Sequence, residues 1–91
     1  MIISEEIVKA YAKEMKNIIL DKKFNYDYGE IAEVCLHLSN NWRSPDEMDE
    51  LLYNLVDEAL PLASGKGNLG EFMNALYDII DYGEVDLGVE E

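Results

Sequence analysis

The sequence predicts an all-α protein: a compact bundle of four amphipathic helices with short loops and an acidic C-terminal tail. Apolar residues recur at spacings of three and four, no segment alternates as a strand does, and four segments open with a helix-capping side chain. The 91 residues, 48% of them hydrophobic, are enough for one core. We therefore expect a single helical domain over residues 1–83 and an acidic tail over residues 84–91.

The first helix is predicted to begin after Ser4, whose hydroxyl can accept from the free amides of a first turn. Ile3 and Val8 flank that cap at the spacing of a hydrophobic staple. Lys22 and Lys23 would close the helix, because cations are favoured at the negative end of the helix dipole. The expected buried stripe consists of Ile7, Val8, Tyr11, Met15, Ile18 and Ile19.

The second helix is predicted to begin at Asp27, with Glu30 three residues later in capping-box spacing. We expect it to fray through residues 39–41, where serine and asparagine compete with the helical backbone. The side chains expected to be buried are Ile31, Val34, Cys35 and Leu38.

The third helix has the strongest start signal in the chain: Ser44 as cap, Pro45 at the first helical position and Glu47 at the third. Pro61 is predicted to mark its end. Its expected core face is formed by Met48, Leu51, Leu52, Leu55, Val56 and Ala59.

The fourth helix is predicted to follow a flexible connector over residues 62–68. Asn68 would cap it together with Glu71, and Gly83 would end it. The side chains expected to be buried are Leu69, Phe72, Met73, Leu76, Ile79 and Ile80.

The charge is unevenly distributed along the chain, and its net value is −13. Residues 1–44 hold six bases and seven acids, a net of −1, whereas residues 45–91 hold one base and thirteen acids, a net of −12. Such a field repels nucleic acid and anionic membranes and attracts basic proteins. We therefore expect a basic protein as partner, with no direct contact to nucleic acid or membrane.

The cellular location is predicted from three features of the sequence. Cys35 is the sole cysteine, so no internal disulfide points to an oxidising compartment. The first ten residues lack the apolar stretch of a signal peptide, and no apolar run approaches the roughly 20 residues that span a bilayer. These features favour a cytoplasmic protein.

The sequence signals for a catalytic, metal-binding or cofactor-binding site are weak. Cys35 and His37 lie two positions apart, so on a helix they diverge; we expect a core cysteine beside an exposed histidine. The acidic end does not match a calcium-binding loop, and the glycines of SGKGNLG lack phosphate-loop spacing. An acyl carrier serine motif is absent, because proline follows Ser44 and glycine follows Ser64. We expect no enzyme, no metal and no cofactor.

A narrow acidic stripe is predicted on the outward side of the third helix, where Asp46, Glu50, Tyr53 and Asp57 align and Asp49 flanks them. A similar face is expected on the fourth helix, formed by Glu71, Asn74, Asp78 and Tyr82. The predicted partner-binding residues are Asp46, Asp49, Glu50, Tyr53, Asp57, Glu71, Asp78 and Tyr82.

Such a stripe has two interpretations. A solvated face keeps a small protein soluble, and most runs of charge serve that purpose. Solubility is served by mixed signs, however, whereas this half of the chain has one base against thirteen acids. Tyrosine among carboxylates is typical of a binding surface, in which an aromatic anchor lies within a charged rim. We favour the binding surface.

The segment SPDEMDELLYNLVDEALP, residues 44–61, resembles the acidic second helix of the colicin DNase immunity proteins. Through these eighteen residues, the chain resembles the small acidic helical immunity proteins that bacteria make against nuclease toxins of the colicin and contact-dependent-inhibition types. In the colicin family a short following helix carries two adjacent tyrosines, whereas this chain has SGKGNLG there. The resemblance therefore implies a role, the neutralisation of a cognate toxin nuclease, without a residue-by-residue site.

Two alternatives share the same sequence features. A phage anti-restriction or anti-CRISPR protein would use the same acidic mimicry of nucleic acid against a host nuclease. A non-enzymatic regulatory or scaffolding helical domain would use its acidic half to bind a protein that is not a nuclease.

Overall fold

Four helices account for most of residues 3–42 and 47–82, which are the residues that the computed structural model describes. No strand occurs within these ranges. The predicted all-α fold class is therefore confirmed. The helices are α1 (Glu5–Leu20), α2 (Tyr28–Asn41), α3 (Glu47–Ala63) and α4 (Leu69–Ile80).

Several predictions fall on residues outside the described ranges. They concern the cap of α3 by Ser44 and Pro45 and the acidic tail over residues 84–91. Asp46, one of the predicted partner-binding residues, also lies outside. These three features stay predictions. The predicted end of α4 at Gly83 is wrong, because the helix already ends at Ile80, with Asp81 as its C-cap.

The other predicted helix starts are confirmed by side-chain caps. Each cap is a side-chain oxygen that accepts from the amide three residues later, and this bond stabilises a helix by roughly 1 kcal/mol. The three bonds join Ser4 Oγ to Ile7 N (3.4 Å), Asp27 Oδ1 to Glu30 N (3.3 Å) and Asn68 Oδ1 to Glu71 N (3.1 Å).

The helices pack through α3, which contacts both α2 and α4, while α1 packs against α4. The backbone N–H of Ile3 donates to the carbonyl of Asn41 at 3.2 Å, which places the start of α1 beside the end of α2. These two helices therefore run antiparallel. The described residues extend 38 × 34 × 19 Å. The shortest dimension corresponds to two layers of helices, because one helix with its side chains is about 10–12 Å wide.

The core is entirely apolar: no polar or charged side chain is buried within the described residues. The predicted core faces of α2, α3 and α4 are largely confirmed, with Leu69 as an exception at 38% exposed. The largest fully buried side chains are Phe72, Leu38, Met48, Leu52, Leu55, Leu76, Ile79, Val8 and Cys35.

The buried stripe of α1 differs from the prediction. Ile7, Tyr11 and Ile18 are 40–44% exposed, whereas Val8 and Met15 are buried as expected. The apolar residues of α1 are spread over a wider arc of the helix than its packing partners can cover. The neighbouring helices bury only the row that includes Val8 and Met15. A third member of that row is Ala12, which the sequence pattern did not single out.

The ends of the first two helices also differ from the prediction. Helix α1 ends at Leu20, so Lys22 and Lys23 lie beyond its last turn. Asp21 ends it, because its carboxylate accepts from the amide of Lys23 at 3.0 Å and turns the chain.

Helix α2 does not fray: it continues through residues 39–41. The side-chain amide of Asn41 donates to the carbonyl of His37 at 2.8 Å. This bond holds the side chain of Asn41 against the last turn of α2.

Pro61 does not end α3, which runs on to Ala63. The end is set instead by a Schellman motif, in which Lys66 N donates to Pro61 O (2.8 Å) and Gly65 N donates to Leu62 O (2.9 Å). Gly65 has φ +79, the left-handed conformation that this motif requires and that glycine adopts without strain. The predicted connector over residues 62–68 is thus partly helical and held by backbone hydrogen bonds.

Cys35 is a core residue, as predicted, and His37 is exposed. The Cys35 thiol lies 3.8 Å from the sulfur of Met15, which links α2 to α1. Burial raises the pKa of the Cys35 thiol to about 12. A buried thiol held protonated in this way is not a nucleophile at neutral pH.

Replacement of Leu52 by alanine tests the core face of α3. Because Leu52 is 1% exposed, Leu52→Ala should lower the free energy of unfolding by about 2–5 kcal/mol. Leu60→Ala is the matched control on the same helix; Leu60 is 44% exposed, so its loss should cost about 0.5 kcal/mol or less. Urea denaturation followed by circular dichroism measures both. Equal losses for the two variants would contradict the assigned orientation of α3.

Alkaline pH should destabilise the protein through Cys35. An unfolded thiol ionises near pH 8.5–9, whereas Cys35 in the folded state stays protonated up to about pH 12. This contribution to stability is therefore complete below about pH 8.5 and is lost as the pH rises towards 12. Between about pH 8 and pH 10, the unfolding free energy should fall by about 1.4 kcal/mol more in wild type than in Cys35→Ala. Identical pH dependence in the two proteins would mean that the thiol is not held protonated.

Candidate protein-binding surface

The outward side of α3 carries four of the predicted partner-binding residues. Asp49, Glu50, Tyr53 and Asp57 are all exposed; Glu50, Tyr53 and Asp57 lie opposite the core face, and Asp49 flanks them. Tyr53 is 66% exposed, although its ring is largely apolar. We call these four residues the α3 acidic face. The predicted exposure of this stripe is confirmed for its described members, whereas their role in partner binding stays a prediction.

A groove lies between the end of α2 and the first turns of α3. Its volume is about 640 Å³, within the range of small-ligand sites. Asp57 lies further along α3 and does not contribute to it. The residues that line this α2–α3 groove are Ser39, Trp42, Asp49, Glu50, Tyr53 and Asn54.

Trp42 is the groove residue that the sequence reasoning missed. It is the C-cap of α2, and its extended backbone (φ −79, ψ 136) turns the chain away from the helix. Its side chain is only 6% exposed, so it forms the floor of the groove, whereas Tyr53 lies at the rim. The available signal was a tryptophan placed between the end of one helix and the start of the next.

The α3 acidic face has no neutralising partner among the described residues. Neither α2, α3 nor α4 contains a lysine or an arginine. The carboxylates of Asp49, Glu50 and Asp57 form no ion pair with any described residue, and the pair that the described chain does show joins Lys9 to Glu5 on α1 at 3.7 Å. Within the described residues, these three carboxylates are exposed and carry their charge without an ion pair.

Part of this acidity has a structural explanation. Asp49 and Glu50 lie in the first turn of α3 with Glu47, where the helix dipole stabilises each acid by about 0.3–1 kcal/mol. Asp57 lies well beyond that turn and gains nothing from the dipole, because the effect decays within the first turn. An exposed tyrosine at position 53 gains nothing from it either. Helix stability therefore accounts for the acids at the start of the face and leaves Tyr53 and Asp57 unexplained.

The second predicted face, on α4, is only partly formed. Glu71 and Asp78 are exposed as expected. Tyr82 is not part of that face: α4 ends at Ile80, so helical spacing no longer places residue 82, and its ring packs against the core. The predicted place of Tyr82 on the outward face of α4 is therefore wrong, whereas its role in partner binding stays a prediction.

A different tyrosine occupies the α4 surface. Tyr77 is 41% exposed, and the ammonium of Lys16 on α1 lies 5.9 Å from the centroid of its ring. This distance is that of a cation–π contact. The α4 surface thus already holds a cation of its own chain beside its aromatic ring, whereas residues 3–42 and 47–82 place none beside Tyr53.

An aromatic cluster in the loop between α1 and α2 was also missed. The rings of Phe24, Tyr26 and Tyr28 lie with their centroids 5.4–6.2 Å apart. Tyr26 is 74% exposed and has φ +62, a conformation that costs a residue with a side chain about 1–3 kcal/mol. The available signal was three aromatic residues within five positions.

The described residues offer little for metal chemistry or membrane insertion. Residues 3–42 and 47–82 contain no group of three or more histidine, cysteine or acidic side chains placed to hold a metal ion. In the same ranges, no helix combines the length and the apolar character that crossing a bilayer requires. The only exposed histidine, His37, contacts the side chain of Asn41 at 3.3 Å.

Comparisons with known protein families, with curated proteins and with solved structures give no match to this chain.

Proposed function

We propose that this protein is a non-enzymatic acidic inhibitor, an immunity protein that binds a basic toxin nuclease in the cytoplasm and occupies its nucleic-acid cleft. The observation that supports this proposal is the α3 acidic face. Carboxylates surround an exposed tyrosine on a helix whose described neighbours supply no cation. The resemblance of residues 44–61 to the acidic helix of colicin DNase immunity proteins points to the same role.

A rigid helix can place carboxylates at the positions in a nuclease cleft that the phosphates of nucleic acid would occupy. Glu50 and Asp57 are seven positions apart on α3, which corresponds to about 10 Å along the helix axis. One strand of a duplex carries a phosphate for each 3.4 Å or so of axial rise, so the two carboxylates span about three such steps. A cleft lined with lysine and arginine would thus meet negative charge over a comparable length.

The aromatic side chain has a separate task. Electrostatic steering makes association fast but adds little to the affinity of the complex, because exposed ion pairs contribute little free energy. Tyrosine is enriched among the few interface residues that carry most of the binding energy. We assign Tyr53 as that anchor, since it is the exposed aromatic residue within the α3 acidic face.

Reversal of two charges on the α3 acidic face tests the steering role. Glu50→Lys with Asp57→Lys should slow association with the purified partner and flatten its dependence on salt, because steering acts on the encounter. The matched control is Glu14→Lys with Glu33→Lys, which changes the net charge equally at exposed sites on α1 and α2. Stopped-flow fluorescence at two salt concentrations measures the rates. Equal slowing by both pairs would show that only the net charge matters.

Truncation of Tyr53 tests the anchor role. Tyr53→Ala should leave association nearly unchanged and speed dissociation, at a cost of about 2 kcal/mol or more if the residue is a hot spot. Tyr26→Ala is the control, because Tyr26 is also exposed but lies in the loop before α2. An unchanged dissociation rate for Tyr53→Ala would remove the anchor from this face.

The partner itself is tested in cells. The partner, captured from the native cell and identified by mass, should be a nuclease whose toxicity is suppressed when this protein is co-expressed. Protection of phage DNA from a host nuclease, without relief of toxicity, would instead indicate a phage-encoded mimic of nucleic acid. A partner without nuclease activity would indicate a regulatory or scaffolding domain.

A further inference from the structure

We propose that the α2–α3 groove is a receptor for a single arginine side chain of the basic partner. This inference rests on the proposed function, since it names the chemical group that the acidic surface receives. It draws on a different feature, however: a concave site with an aromatic floor and rim, in addition to the charge of the helix face.

The aromatic residues favour a planar cation. Trp42, at 6% exposed, lies at the floor of the groove, and Tyr53, at 66% exposed, lies at its rim, so a side chain that enters meets chiefly the ring of Tyr53. The guanidinium group of arginine is planar and weakly hydrated, and it stacks on aromatic faces. An ammonium group is compact and strongly hydrated, and it loses more hydration on entering such a site.

The polar residues of the groove match the donors of a guanidinium. Asp49 and Glu50 supply carboxylates that have no ion-pair partner among the described residues. Ser39 and Asn54 add a hydroxyl and an amide oxygen, both of which can accept. Arginine presents five N–H donors in one plane, so it can pair with a carboxylate while it also donates to neutral oxygens.

Other occupants fit the groove less well. An apolar side chain would remove water from Asp49 and Glu50 without replacing the lost hydrogen bonds. A phosphate group would be repelled by the same two carboxylates. A metal ion lacks ligands, because no group of three or more suitable side chains exists within residues 3–42 and 47–82. Charge complementarity therefore selects a cationic side chain, and the exposed ring of Tyr53 favours arginine.

Binding of arginine to the groove can be measured on the full chain before the partner is known. The probes are N-acetyl-arginine amide and N-acetyl-lysine amide, which carry the same charge. Trp42 is the only tryptophan of the protein, so its fluorescence reports occupancy of the groove. We expect saturable binding of the arginine probe, about two- to fivefold tighter than that of the lysine probe. In amide NMR spectra, the perturbed residues should be those of the groove.

Three variants separate stacking from general attraction. Tyr53→Ala should abolish the preference for the arginine probe, and Tyr53→Phe should retain it because the ring is kept. Glu33→Gln removes an exposed charge of α2 outside the groove, and it should leave the preference unchanged. Circular dichroism confirms that each variant is folded.

The inference is overturned if both probes bind equally, or if the spectral changes spread over acids of the whole surface. The arginine inference fails, and the proposed function stands, if the identified nuclease is neutralised but replacement of its interface arginines by lysine does not weaken binding. The proposed function fails alone if the arginine probe fills the groove but no nuclease is neutralised.

Discussion

The structure depends on the packing of α3 between α2 and α4. An apolar core that buries no polar side chain within the described residues fixes the rotation of this helix, because Leu52 and Leu55 must face inward. The opposite side, with Glu50 and Tyr53, must then face solvent. The fold therefore determines where the acidic face lies, but it does not determine which residues that face contains.

The composition of this face has a cost for folding. Carboxylates placed near one another repel, and the described helices around them offer no lysine or arginine to offset the repulsion. The dipole of α3 compensates its first-turn acids but not Asp57. A surface whose only task was solubility would have mixed signs. We infer that binding, rather than stability, accounts for the charge at Asp57 and for the exposed ring of Tyr53.

Local features of the fold could be predicted from the sequence, whereas features set by neighbouring helices could not. The caps at Ser4, Asp27 and Asn68 were predictable because each bond spans three residues of one chain segment. The exposure of Ile7 was not, because it depends on which helices pack against α1. For the same reason the stripe on α3 could be predicted, whereas the groove could not: it requires Trp42 from the end of α2 to meet α3.

Steering and anchoring can be assigned to different parts of one surface because they act over different distances. Charges are screened beyond about 8 Å at physiological ionic strength, so the carboxylates affect a partner only within its final approach. We propose that the groove acts later, when a side chain of the partner has lost its water and contacts Tyr53. Salt should therefore change the rate of encounter, whereas the identity of the inserted side chain should change the lifetime of the complex. A surface that served only as a solvated face would show neither dependence.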